Sequence, residues 1–216
     1  MITKNIYVHW IISSLEKAYP APKTELENWK NPIQFMVCVI LSAQATDKGV
    51  NKISRELFSR YKNAGDFAKA KQGELKKHVK SINYYKTKAK RIIDACRYVK
   101  ENFSGELPKS IDKLVQIPGI GRKSANVILQ EALGESQGIV VDTHVTRLSY
   151  RLGLTPHNDQ KDAEKIEQAL QRIIPKNKWQ FYSSAAVLHG RYICKAKSPN
   201  CKECVLNKKC PASLFN

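Results

Sequence analysis
Four of the six cysteines, Cys194, Cys201, Cys204 and Cys210, fall in one short C-terminal stretch spaced C-x6-C-x2-C-x5-C. Four thiolates so close in sequence suit either a zinc ion or a [4Fe–4S] cluster. Zinc ribbons usually carry two C-x2-C knuckles, and only one pair here is that close. The spacing therefore favours the cluster and leaves zinc open. A second stretch, PGIGRKSAN at 118–126, places Gly119 and Gly121 around one isoleucine and follows them with Arg122 and Lys123. Glycine tolerates a left-handed backbone and lets another backbone approach closely. Exposed amides at the start of the following helix, with its dipole, then make a site for a phosphate. A lysine at that end of a helix sits where the free amine, a nucleophile, is favoured. Spacing alone leaves Lys123 either a second phosphate contact or a catalyst. Asp142, between GIVV and THVTRLSYRL, is fully explained as a helix N-cap, a role that does not prevent it from being a catalytic carboxylate.

These groups need elements to position them, and the pattern is helical almost throughout. Asn31 and Pro32 open the apolar run IQFMVCVILSAQ, which is too hydrophobic on every side for a surface helix. Asp47 is expected to cap the next helix, with Val50, Ile53 and Leu57 on one stripe. Lys88 to Asn102 carries Ala89, Ile92, Ile93, Cys96 and Val99 at helical spacing, with Gly105 beyond. Ser110 precedes a short helix, IDKLVQ, which Pro118 stops. Gly134 ends the helix that begins near Lys123, and Gly153 ends the one that follows Asp142. Two more helices are expected near 161–174 and 179–191. No strand series and no repeat emerges, so the fold class is all-α. Cys38 and Cys96 lie on apolar stripes and read as buried packing residues.

Lys and Arg number 37 against 19 Asp and Glu, a net charge of +18 with pI near 9.7. Such a balance gains most from a polyanion whose counterions are released on binding. Composition does not choose DNA over RNA, and a basic ribosome-associated protein has the same signature. No apolar run has membrane-spanning length, and MITKNIYVHWII makes a poor signal peptide. A cytoplasmic, reducing location is expected, near the nucleoid if the source is bacterial, with the cysteines as thiols.

LVQIPGIGRKSANVIL followed by VVDTH resembles the helix-hairpin-helix, Gly/Pro-rich loop and downstream aspartate of the endonuclease III family of DNA glycosylases. LSAQATD at 41–47, HGRY at 189–192 and the terminal cysteines match in the same order, so the resemblance runs from about residue 25 to 210. It implies two helical domains flanking a DNA-binding cleft. One is a six-helix barrel over 23–135 with the hairpin; the other joins 1–22 to 136–216 and carries a [4Fe–4S] cluster on the four cysteines. The implied activity is a bifunctional DNA glycosylase/AP lyase of base excision repair, acting as a monomer on duplex DNA with damaged pyrimidines or abasic sites. Lys123 would be the Schiff-base nucleophile and Asp142 the stabilising carboxylate. Gln44, a surface glutamine by position alone, would fill the space left by the flipped nucleotide, with Gly119, Gly121, Arg122, His144, Lys195 and Lys197 as further DNA contacts. Monofunctional relatives lack the lysine, and the adenine-specific type extends further at its C-terminus. A binding module would need neither Lys123 nor Asp142. The family's second wedge loop carries glycine and leucine where this chain has Asn83 and Tyr84.

Overall fold
The computed structural model describes residues 4–214, and among these there is no strand. The helices in chain order are α1 (Lys4–Ala18), α2 (Pro32–Ser42), α3 (Asp47–Arg60), α4 (Ala64–Ala68), α5 (Gln72–His78) and α6 (Tyr85–Asn102). They continue with α7 (Ile111–Leu114), α8 (Arg122–Ala132), α9 (Thr143–Arg151), α10 (Ala163–Gln171) and α11 (Trp179–Tyr192). The chain folds as two compact units. One is Thr24–Gln137; the other combines the chain up to Lys23 with the chain from Gly138 onward.

In the Thr24–Gln137 unit, α2 is the buried axis. Asn31 is extended and its side chain accepts from the Gln34 amide, while Pro32 supplies the first helical residue at no cost in hydrogen bonds. Every residue from Ile33 to Leu41 is buried. The single polar one, Gln34, is satisfied by the Lys30 amide at 2.8 Å. Cys38 and Cys96 lie in the same core, where burial pushes both thiols up to about 12. Three boundaries differ from the sequence expectation. Thr46, not Asp47, caps α3, its hydroxyl accepting from Gly49 at 3.1 Å; Asp47 takes the first helical position, where the dipole favours its charge. Helix α6 begins at Tyr85 rather than Lys88, and Lys88 is itself buried. Helix α7 stops at Leu114, well short of Pro118, because the chain passes into hydrogen-bonded turns such as Ile117 N–H to Leu114 O. Short α4 is capped at its start by two side chains: Asn63 accepts from the Asp66 amide, and Asp66 accepts from the amide of Lys62, the residue before the cap.

In the other unit, Val8, Ile11, Ile12 and Leu15 of α1 pack with Val145, Leu148 and Leu152 near α9 and with Tyr182, Ala185 and Ala186 of α11. The Tyr182 hydroxyl is fully buried and pairs with Ser149 Oγ at 2.9 Å. The helix expected over 161–174 is divided into a 3₁₀ turn, Gln160–Asp162, and α10.

Candidate functional site
The PGIG turn divides its two glycines by role. Gly119 has φ 86, in the left-handed region, and its α-carbon backs onto the aliphatic part of Arg91. A side chain there would be strained by the backbone alone. Gly121 has φ −92, an ordinary value, and no atom lies within 4 Å of where its Cβ would stand. Nothing in the folded chain asks for glycine at 121. Ile117 and Ile120 are buried and root the turn in the core. Gly121 is the N-cap of α8 and has no side chain to satisfy the first amides. Arg122 and Lys123 are the first two residues of α8 and both are exposed.

Gln44 lies beyond α2 rather than within its last turn. It is exposed, with φ 55, and its carbonyl accepts from Asn83 Nδ2 at 3.1 Å.

Asp142 caps α9: one oxygen, Oδ1, takes the amides of His144 and Val145 at 2.8 and 2.9 Å. Lys123 belongs to the first unit and Asp142 to the second. His144 abuts α11. Its ring meets Arg147, and a Cβ added to Gly190 would stand 2.8 Å from His144 Cβ and 3.2 Å from its Cα. That contact explains the glycine in HGRY. Replacing Gly190 with Ala should cost about 1–3 kcal/mol of stability, since two helix backbones must separate; urea unfolding measures it, and an unchanged midpoint would contradict the packing.

The four C-terminal cysteines line one small, largely apolar pocket with Arg151 and His189. Arg151 donates to Cys194 Sγ at 3.2 Å and to the carbonyls of Lys195 and Ala196; Arg147 donates to the carbonyls of Cys194 and Gly190. His189 is buried, which lowers its pKa to about 4 and keeps the ring neutral. Its two nitrogens meet Tyr19 Oη at 3.1 Å and Cys204 Sγ at 3.3 Å. Backbone amides of Leu206 and Ala212 reach Cys204 and Cys210. Among the described residues no three Cys, His, Asp or Glu side chains converge as one ion would require. Sulfurs spread around a pocket and backed by N–H donors fit a polynuclear iron–sulfur group, whose irons each take one thiolate. Lys195 and Lys197 stand exposed on the loop that Arg151 anchors. The arginine clamps have no sequence signature beyond their spacing of four on α9.

Residues 37–176 match the HhH-GPD superfamily of base excision DNA repair proteins. Endonuclease III of Synechocystis sp. is 41% identical over 203 residues, covering 94% of this chain and 91% of the relative. The chain belongs to the endonuclease III family. Its Escherichia coli member is 36% identical over 200 residues, covering 93% of this chain and 92% of that one. A solved endonuclease III–DNA covalent intermediate superposes with TM-score 0.88 at 37% identity, covering 98% and 97% of the two chains. A thermostable thymine-DNA glycosylase shares the fold, with TM-score 0.84 at 20% identity. As a member of the endonuclease III family, the protein is a base excision repair DNA glycosylase/lyase. No helix among the described residues is long and apolar enough to cross a membrane.

Proposed function
We propose that the protein removes oxidised pyrimidines from duplex DNA through Lys123 and then cuts the strand by β-elimination. The observation that carries the reading is the placement of Lys123: exposed, on the first turn of α8, directly after a glycine turn with open space before it. The target nucleotide leaves the stack, and Gln44 occupies the gap. Lys123 Nζ attacks C1′; the C1′–base bond breaks and the base departs with a proton. Ring opening leaves a Schiff base between Nζ and C1′. Loss of a C2′ proton then expels the 3′ phosphate, and water releases Lys123 and the unsaturated aldehyde. Asp142, held rigid by its own capping bonds, stabilises the positive charge that develops on the sugar and takes the lysine proton. Gly119, Gly121 and Arg122 grip the phosphate backbone, and His144, Lys195 and Lys197 are further contacts to DNA. On this reading Thr24–Gln137 is the hairpin domain and the remainder the cluster domain. Incubating the protein with a thymine-glycol duplex under borohydride should yield a covalent adduct; its absence would refute the lysine chemistry.

The four cysteines hold a [4Fe–4S] cluster on this reading. When bound it supplies a rigid knot that fixes the lysine-bearing loop. Purified protein should be brown, absorbing broadly near roughly 400 nm, and a colourless protein with stoichiometric zinc would overturn the assignment. Neutralising Lys195 and Lys197 together should weaken binding to every duplex and flatten the slope of log K against log salt by about two. An unchanged slope would remove them from the interface.

A further inference from the structure
His189 is buried in the last turn of α11, and both of its ring nitrogens have a partner. Nε2 stands 3.3 Å from Cys204 Sγ, and Nδ1 stands 3.1 Å from the Tyr19 hydroxyl. The carbonyl of His189 accepts from the Ile193 and Cys194 amides at 2.9 and 2.8 Å, which ties the same residue to a second cysteine through its backbone. Tyr19 comes from 170 positions away. It follows α1 directly, its amide donating to the carbonyl of the wholly buried Leu15 at 2.7 Å. The Tyr19 ring meets the imidazole edge-on, with centroids 5.9 Å apart. The imidazole is thus held from α1, α11 and the cysteine segment at once.

Ligation gives this chain of contacts a single polarity. A thiolate bound to iron has no proton and can only accept. Nε2 must then carry the hydrogen; a neutral imidazole has only one, so Nδ1 is left to accept from the Tyr19 hydroxyl. The opposite order would face two acceptors against each other in a buried site. The cysteines differ in what reaches them. Arg151 brings a full charge to Cys194 Sγ at 3.2 Å, whereas His189 brings a neutral donor to Cys204. Donors on the sulfurs of an iron–sulfur cluster favour its more negative, reduced form and so raise its potential. Packing gives no reason for the residue type, because a buried imidazole bears a desolvation cost that an apolar side chain avoids.

We propose that His189 donates a hydrogen bond to the Cys204 thiolate that sets the reduction potential of the bound cluster, and that Tyr19 is a positioning residue that holds the imidazole in the donating tautomer. The proposal rests on the cluster reading above. The test measures the cluster's potential by protein-film voltammetry on the full chain, with iron and sulfide content matched between samples. His189→Phe, which keeps a ring and removes the donor, should lower the potential. His189→Gln, whose amide can present an N–H where Nε2 stands, should stay near wild type. Tyr19→Phe keeps the edge-on ring contact and removes only the hydroxyl. It should lower the potential by less than His189→Phe does, and should add nothing in a His189→Phe background. Equal shifts in His189→Phe and His189→Gln would reduce the residue to packing and overturn the hydrogen bond. A wild-type potential in Tyr19→Phe would overturn the positioning role, and this variant carries the test if His189→Phe does not fold. A wild type that purifies colourless with zinc would remove the cluster reading and this proposal together. A brown protein whose potential ignores both residues would remove the proposal alone.

Discussion

Lys123→Gln is expected to give no borohydride-trapped complex on a thymine-glycol duplex and to lower turnover by at least on the order of a thousandfold, since no other group replaces a covalent nucleophile. The substitution isolates the chemistry. Glutamine has nearly the helix propensity of lysine, and position 123 is exposed on the first turn of α8, so no core contact is lost. The glycine turn of Gly119 and Gly121, which precedes the substituted position, is untouched. Affinity for an uncleavable abasic duplex should therefore fall only by the contribution of one cation, with unfolding unchanged. Two outcomes would count against the assignment. A persistent adduct would place the nucleophile elsewhere, and a collapse of binding in step with turnover would make Lys123 a phosphate contact.

What the sequence made legible was local. Asn31–Pro32 ahead of nine successive buried residues, Asp142 ahead of α9, and the stops at Gly105, Gly134 and Gly153, all with positive φ, depend on neighbours within one turn. The fold class follows from such signals. Helices α4 and α5 escaped because five and seven residues complete too few turns to show a period. Thr46 and Asp47 are both good caps, and only the backbone angles decide between them. In the site, the cysteine spacing and the glycine–lysine turn could be read directly. The tethers could not. Arg151 reaches Cys194 across 43 positions and Asn83 reaches Gln44 across 39, and neither residue type announces a partner so distant in sequence. Gly190 was visible only as part of HGRY; its reason, the His144 backbone beside it, is a packing fact.

Asp142→Asn separates two roles that one carboxylate combines. Asn is as good an N-cap as Asp, and its side-chain carbonyl can accept from His144 and Val145 as Oδ1 does. Stability should stay within about 0.5 kcal/mol. The amide carries no charge, so it neither stabilises a cationic sugar nor accepts the lysine proton, and turnover should fall on the order of 10²–10³ with affinity for abasic duplex retained. Asp142→Ala should fall as far in turnover and also lose about 1 kcal/mol of stability through the missing cap. Single-turnover rates with parallel unfolding curves read both quantities. If Asn supports wild-type turnover, Asp142 is a cap and nothing more, since geometry survives the change and only charge is removed. If Asn and Ala differ in stability but share one low rate, the charge is what the reaction uses. The capping bonds then have a chemical purpose: two amides fix one oxygen, so the carboxylate need not reorganise when positive charge appears.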